Sequence, residues 1–477
     1  MKKILFVASE AVPFASSGGL GDVIGSLPAA VKAASKGEYD VRVVLPLYGT
    51  MDPKYREKLT YITNITVHLA WRSQYCGIFS YVHSGVTYYF IDNEYYFKRE
   101  SMYGQYDDGE RYAFFCKAAL EILPVIDFMP DILHAHDWQS ALTVVYLKYK
   151  YGLMEGYSSI KSVFTIHNIA YQGVYGFDIL GDVFELSRFD SAVLDYSGDI
   201  NLMKGAIVCA DIVSTVSPTY SREILSPKFS HGLHHVLELN KGKIRGILNG
   251  IDTDYYNPAK DTELFANYSY RSPGGKAENK SQLQKMLSLP ASPDTPMIAI
   301  ISRLADHKGL DLVALAADDI LEGNVQLVVL GKGEYYFENF FYHLAKRYPA
   351  KVSTLLVFNK DLAKKVYAAA DMFLMPSKSE PCGLSQMIAS RYGAVPIVRE
   401  TGGLYDSIRD CGWPDGGNGF TFAPYSAWEL LGAVRRAEEL YRSDRDAWNA
   451  LMKKVMRVDF SWKKSAQEYI EMYDSMK

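Results

Sequence analysis

The chain of 477 residues has only five cysteines, at positions 76, 116, 209, 382 and 411, and no two are spaced as CxxC. This excludes a disulfide-framed secreted scaffold, and reduced thiols in a cytoplasmic protein are the economical reading. No apolar run approaches the length of a membrane span, so no membrane partner is expected. The opening Met1-Lys2-Lys3-Ile4-Leu5-Phe6-Val7-Ala8 imitates a signal peptide, but its apolar run is short and Ser9-Glu10 follows it, as for a buried first strand. Positive charge is not in excess: 51 Lys and Arg against 55 Asp and Glu leave a net charge of −4. A general nucleic-acid binder is thereby excluded, and any anion site must be a local basic cluster. Low-complexity tracts and solenoid-period repeats are also missing. What is present is an ordinary globular composition, 48% hydrophobic and 22% charged, rich in tyrosine (36), in a chain too long for one core.

Short β-branched runs alternate with helical patterns, the signature of parallel sheets covered on both faces. In the N-terminal half, strands are expected at 4–8, 41–45, 132–136, 163–167 and 212–216, and helices at 22–34, 110–123, 140–151 and 202–210. An antiparallel-looking insertion occupies about 60–92, with alternation at 65–69, 77–83 and 86–91. A turn-rich hinge candidate runs from Lys241-Gly242-Lys243 to Asn249-Gly250-Ile251-Asp252. Beyond it come strands at 297–301, 326–330, 354–358, 372–375 and 394–399, with helices at 309–320, 338–347, 361–370 and from 426 onward. The amphipathic stretch 462–476 is expected to cross back onto the first half. The chain therefore reads as α/β with two doubly wound domains, 1–248 plus 460–477 and 249–459, whose strand C-terminal loops form the ligand-binding edges.

Five stretches carry chemistry. Glu380-Pro381-Cys382-Gly383-Leu384 lies between the strand at 372–375 and an apolar helical pattern beginning at Met387. It reads either as an ordinary turn with a surface acid or as a carboxylate beside the free N–H groups of a helix N-terminus, an anion site. The first loop, Ser16-Ser17-Gly18-Gly19-Leu20-Gly21-Asp22, can bring backbone N–H groups close to a ligand. It is not a nicotinamide dinucleotide fingerprint, because Ile24 stands where the third glycine belongs and Asp22 would repel a pyrophosphate. His134-Ala135-His136-Asp137-Trp138 puts two histidines on one strand face, but no second ligand group of matching spacing supports a metal. Asp137 as a helix cap with packed histidines is favoured over a metal there. His167-Asn168 ends another strand, and Ser302-Arg303-Leu304-Ala305-Asp306-His307-Lys308-Gly309 follows the first strand of the second half. Arg303 and Lys308 are either a solvated pair or the fork and point charge that a pyrophosphate needs.

With these residues in place the chain resembles the bacterial glycogen/starch synthases, retaining glucosyltransferases that elongate α-1,4-glucan from a sugar nucleotide. The resemblance runs from Gly18-Gly19-Leu20-Gly21-Asp22 and His134-Ala135-His136-Asp137-Trp138 through Thr165-Ile166-His167-Asn168-Ile169-Ala170-Tyr171-Gln172-Gly173. It continues with Ser217-Pro218-Thr219-Tyr220, Leu248-Asn249-Gly250, Lys276-Ala277-Glu278-Asn279-Lys280 and Ser302-Arg303-Leu304. It ends on Glu380-Pro381-Cys382-Gly383-Leu384 and Thr401-Gly402-Gly403-Leu404.

The resemblance implies a GT-B architecture, two Rossmann-like domains facing across a deep cleft, and a cytoplasmic hexosyltransferase using ADP-glucose and a glycogen acceptor, with no metal or other cofactor. Arg303 and Lys308 would hold the pyrophosphate, helped by N–H groups at Gly18, Gly19, Cys382, Gly383 and Leu384. Phe358 would stack on the base. Glu380, Asn249 and His167 would contact the transferring glucose, with Asp22, Asp137 and Asn168 on the acceptor side. No carboxylate pair is evident for double displacement, so same-face transfer is expected. Four positions depart from the family pattern: Ser16 replaces a lysine, Phe358 a tyrosine, and Lys378-Ser379 an arginine and an aromatic. The missing lysine leaves UDP-glucose as an alternative donor, and a catalytically silent glucan-binding protein is the alternative from another class.

Overall fold

The structure is a computed structural model and describes residues 1–187, 189–414 and 416–476. It divides into two compact units, Met1–Gly250 with the chain from Trp462 onward, and Ile251–Ser461. Asn249 and Gly250, read from the sequence as the start of the second domain, pack with the first. Ile251 N–H donates to Phe460 O at 2.8 Å, so the chain enters and leaves the second unit on neighbouring backbones.

The first unit is built on Lys2–Val7 (β1), Tyr39–Pro46 (β2), Thr60–Leu69 (β3), Arg72–His83 (β4), Val86–Asp92 (β5), Ile132–His136 (β6) and Lys161–Ile166 (β7). A three-stranded sheet of Val174–Tyr175 (β8), Asp195–Tyr196 (β9) and Asp199–Asn201 (β10) sits apart; Ile212–Thr215 (β11) and Ile244–Gly246 (β12) return to the main sheet. The main sheet has the order β12-β11-β7-β6-β1-β2-β5-β4-β3. All neighbours from β12 to β5 are parallel; only β3 and β4 are antiparallel additions. The 86–91 strand expected in the insertion is therefore part of the parallel sheet, pairing with β2.

β1 is buried from Ile4 to Val7 because helices cover both sheet faces. One of these is the last helix, Trp462–Asp474. Its apolar Trp462, Ala466, Tyr469, Ile470 and Tyr473 recur at helical spacing and enter the core beside Ile4, Phe6, Val41 and Ile132. Polar bonds fix its register: Tyr473 OH lies 2.7 Å from His134 Nδ1, Lys2 Nζ donates to Tyr473 O at 3.0 Å, and Ser465 Oγ donates to Leu248 O at 2.5 Å.

The second unit holds Met297–Ile301 (β13), Gln326–Leu330 (β14), Val352–Leu355 (β15), Met372–Met375 (β16), Val395–Arg399 (β17) and Phe420–Phe422 (β18). All are parallel, in the order β15-β14-β13-β16-β17-β18, the 3-2-1-4-5-6 order of a dinucleotide-type fold. The order reverses between β13 and β16, and in the first unit between β1 and β6. Within each unit this reversal is where α/β sheets bind ligands, outside the C-terminal ends of the strands.

Differences from the expected elements have physical causes. The 354–358 strand stops at Leu355, because β15 is an edge strand and nothing pairs beyond it. The expected helix 140–151 is α-helical over Trp138–Tyr146 and closes with a π turn over Leu147–Tyr151. Helix Gly274–Met286 has no apolar stripe to announce it, because its inward face is polar: Lys276, Asn279, Lys280 and Gln284 are buried. Lys276 Nζ donates to Ala368 O, Ala370 O and Tyr392 O at 2.7–3.0 Å, while burial pulls its pKa down to about 7. Burial acts on Lys280 in the same sense, but Asp371 at 2.7 Å more than offsets it and the ammonium is held charged. Removing one member of a buried pair strands the other. Lys280→Met is therefore expected to lower unfolding stability by about 3–5 kcal/mol in a denaturant titration; a loss within the range of a surface pair would show that Asp371 is relieved in another way.

Candidate active site

In the second unit the site is built on the loops after β13 and β16. Ser302 N–H donates to Leu330 O and Leu304 N–H to Lys332 O, at 3.2 and 2.9 Å, so the first loop is stitched to the end of β14. Arg303 stands between the stitches, exposed and without a side-chain hydrogen bond among the described residues. Lys308 closes the loop and places Nζ 2.6 Å from Glu380 Oε2, which also accepts from Ser377 Oγ at 3.1 Å. Glu380 is 6% exposed.

Close backbone contacts position this pair. Gly309 has φ +70°, and a Cβ there would lie 2.0 Å from Pro376 O. Gly402 has φ +45°, and its Cβ would meet Glu380 O at the same distance. Only glycine accommodates both demands. Lys378 N–H donates to His307 O at 2.9 Å and ties the two loops together, while Arg399 Nη1, at the end of β17, donates to Ser377 O and Lys378 O. The Lys378 side chain is turned to Asp306, 2.5 Å away.

One expectation for this unit changes. The helix after Glu380 is only Ser385–Arg391, with Leu384 at its cap, so little helix dipole develops. The backbone N–H groups of Gly383 and Leu384 have no partner among the described residues; Gln386 Nε2 folds back onto Cys382 O and Gly383 O and orders the turn. Phe358, beyond the end of β15, is 80% exposed and touches no other ring among the described residues.

In the first unit, Asp137 ends β6 and His167 ends β7. Contrary to the cap expected above, Asp137 lies at the N-terminus of helix Trp138–Tyr146 but does not cap it through its side chain. Its Oδ1 instead accepts from His167 N–H at 2.7 Å and Asn168 N–H at 3.4 Å, while its own backbone is strained, at φ +57° and ψ 178°. Burial pushes the Asp137 pKa up to about 7 against the pull of these two donors. Asn168 Oδ1 accepts from Ala170 N–H and holds the turn. The His134 ring is engaged on both sides, by Tyr473 OH and Thr165 Oγ1, which leaves it no nitrogen for a metal. His136 Nδ1 and His167 Nε2 are 3.0 Å apart, and burial drives His167 down to about 3, so the ring is neutral. Beside them a recess of about 450 Å³ is lined by Trp138, Tyr171, Gln172 and His231.

The first loop differs most from the sequence reading. Gly18 N–H is not open: it donates to Glu10 Oε2 at 3.3 Å. Ser17 gives the same carboxylate its N–H at 2.5 Å and its hydroxyl at 2.7 Å, and Tyr103 OH adds a fourth donor at 2.5 Å. Glu10, 3% exposed, occupies the cradle as an internal anion. Gly19 opens helix Gly19–Ala34, with Asp22 half-buried in its first turn, and Ser16 is exposed. Asn249, at the end of the first unit, is buried with Oδ1 unpartnered among the described residues. Sequence reasoning missed Glu10 and Tyr103, whose partnership spans loops far apart in the chain, and the His136–His167 pair.

Two Rossmann-like units, with basic and acidic side chains gathered where the strand order reverses, define a glycosyltransferase of the GT-B class. Residues 3–239 match the family model "Starch synthase catalytic domain", and residues 284–454 match "Glycosyl transferases group 1". The chain is 47% identical over 477 residues to the glycogen synthase of Anoxybacillus flavithermus, covering 99% of this chain and 98% of that one. It is equally identical to the glycogen synthase of Desulforamulus reducens, with the same coverage. The solved catalytic domain of starch synthase IV from Arabidopsis thaliana, bound to ADP and acarbose, superposes with a TM-score of 0.92 at 35% identity, covering 99% of each chain. A sucrose-phosphate synthase from Thermosynechococcus elongatus, 16% identical with a TM-score of 0.62, shares the fold. The chain belongs to the glycogen/starch synthase family of hexosyltransferases. No helix among the described residues is long and apolar enough to cross a membrane.

The raised Asp137 pKa has a signed consequence. The folded state keeps the proton up to about pH 7, whereas the unfolded chain releases it near pH 4. Stability from this group is complete below pH 4 and is lost as pH rises to 7. Asp137 retains some solvent contact, so the loss is expected to be on the order of 1–2 kcal/mol. Denaturant midpoints of the wild type and Asp137→Asn from pH 4 to 8 should diverge in favour of asparagine; a pH-independent difference would contradict the shift.

Proposed function

We propose that the protein transfers glucose from ADP-glucose to the non-reducing end of an α-1,4-glucan with retention of configuration. The observation that carries the donor side is the Lys308–Glu380 pair, with Arg303 exposed beside it at the crevice of the second unit. Loss of a nucleoside diphosphate leaves positive charge on the anomeric carbon and negative charge on the β-phosphate. Arg303 offers a planar fork and Lys308 a mobile point charge for that phosphate, so charge is neutralised by side chains and no bound cofactor is required. In this reading the Lys308 ammonium exchanges Glu380 for phosphate oxygen, and the released carboxylate accepts from sugar hydroxyls. The open N–H groups of Gly383 and Leu384 add two donors.

On the sugar side, the roles of His167, Asn168 and Asn249 draw support from their places at strand ends and from the unpartnered Asn249 Oδ1. Asp137 is read as holding the His167–Asn168 turn rather than as a nucleophile, because its Oδ1 already accepts both backbone donors. That favours transfer on one face: the departing phosphate takes the proton of the incoming glucan hydroxyl while the His167 carbonyl faces the cation. Trapping a covalent glucosyl group on Asp137 or Glu380 would overturn this. The recess lined by Trp138 and Tyr171 offers aromatic faces to a glucan acceptor. The five unpaired cysteines support a cytoplasmic setting.

Radiolabelled glucose transfer to glycogen from ADP-glucose and from UDP-glucose tests the reading directly. Arg303→Ala and Lys308→Ala should each lower kcat by on the order of 10²–10³-fold in a protein that still folds. Glucan binding without transfer by the wild type would favour a silent binding protein. The first loop supplies a separate test. Ser16→Lys should raise kcat/KM for ADP-glucose by restoring a positive charge where the loop now holds the Glu10 carboxylate; an unchanged or lower value would mean that the charge is unwelcome there.

A further inference from the structure

We propose that His136 is a positioning residue that holds the ring proton of His167 on Nδ1, so that His167 presents an N–H donor to the sugar. The two rings meet through His136 Nδ1 and His167 Nε2, 3.0 Å apart, and both side chains lie in the core. One proton occupies that bond, and two arrangements of neutral rings are possible. If His167 donates, the His136 proton must sit on Nδ1's counterpart, Nε2, and His167 Nδ1 is a bare acceptor. If His136 donates, its own Nε2 is bare and His167 carries its proton on Nδ1.

The surroundings of His136 choose between them. Its Nε2 is sealed in the core with no hydrogen-bond partner among the described residues. The first arrangement would bury an N–H with nothing to accept it, and buried unpaired N–H groups are rarer than under-satisfied acceptors. A bare ring nitrogen suits that site better, beside Phe6, whose ring lies nearly parallel to His136 at 5.5 Å. The His136 Nδ1–H is thus directed at His167 Nε2. His167 Nδ1 has no partner among the described residues and is the ring nitrogen left for a ligand. An N–H there selects an oxygen acceptor, as a glucose hydroxyl or a phosphate provides.

The catalytic consequence rests on the proposed place of His167 in the sugar site, whereas the ring proton itself is observable without substrate. The experiment is a long-range ¹H–¹⁵N correlation on the full chain labelled at its ten histidines, with His167 assigned by its disappearance in His167→Gln. Wild-type His167 should be neutral and protonated on Nδ1. In His136→Phe, which keeps the ring stack and removes both nitrogens, the proton should shift towards Nε2. kcat should then fall by on the order of 10–100-fold with little change in KM, as when an outer partner that orients a functional histidine is lost. His136→Asn, with an N–H donor near the original Nδ1, should restore both. A wild-type His167 protonated on Nε2 overturns the proposal, as does an unchanged tautomer in folded His136→Phe. Should His136→Phe not fold, the wild-type tautomer alone decides, in the same two directions. A shifted proton with full turnover would leave His136 as the positioning residue and remove His167 from the sugar site.

Discussion

Parallel strands that stop together leave backbone donors and acceptors at one edge of the sheet, and no further strand can meet them. Both units solve this at the point where the strand order reverses. In the first, Asp137 at the end of β6 takes the N–H groups that follow β7, and Glu10 takes those of the loop after β1. In the second, the loop after β16 is approached by the loops after β13 and β17 so closely that Gly309 and Gly402 cannot carry a side chain. The groups that finish the sheets are thus the ones that line the candidate site. Strand order decides where a crevice forms, and the need to satisfy its rim decides which side chains are held rigid there.

Rigidity at that rim is uneven, and the unevenness has chemical meaning. Glu380 is almost fully buried and held by Ser377 and Lys308, whereas Lys308 keeps about a fifth of its side chain in solvent and Arg303 is fully available. A long ammonium stem can change partners without moving the backbone, while the carboxylate beneath it is fixed by its loop. On the other unit the histidines are neutral and the acid is held to its turn, so the polar groups present hydrogen bonds rather than net charge. Fixed dipoles in a partly dry environment suit a transition state whose charge is brief and local.

Much of this was legible in the sequence. Strands β6, β13 and β14 follow from short apolar runs with the bounds expected, and the last helix from its 462, 466, 469, 473 spacing. Helix Gly274–Met286 was not, because a periodicity argument looks for apolar residues and its buried face is lysine, asparagine and glutamine satisfied by distant carbonyls. The strand expected to reach Phe358 ended early because edge strands lack the partner that propensity presumes. At the candidate site, residue types and order pointed to loops that the structure places at strand C-terminal ends. Which donor a carboxylate accepts from is a matter of tertiary approach, so neither the hold of Asp137 on His167 nor that of Glu10 on Ser17 and Gly18 could be read from spacing.

Glu10 changes the electrostatics of the first loop more than Ser16 does. A lysine at position 16 would face a loop whose N–H groups already serve an internal carboxylate, so its charge would first balance Glu10 and only then reach a ligand. With serine there, the loop contributes a buried anion satisfied by four donors and no cation of its own. A diphosphate approaching this loop meets occupied donors, and opposing it is a like charge that burial screens poorly. On the proposed donor reading, the charge that neutralises the diphosphate would be that of Arg303 and Lys308 in the second unit. The two cations are held differently: the Arg303 fork is exposed, while the Lys308 ammonium is paired with Glu380. On the proposed reading, release of the Glu380 carboxylate would be coupled to capture of a phosphate by Lys308.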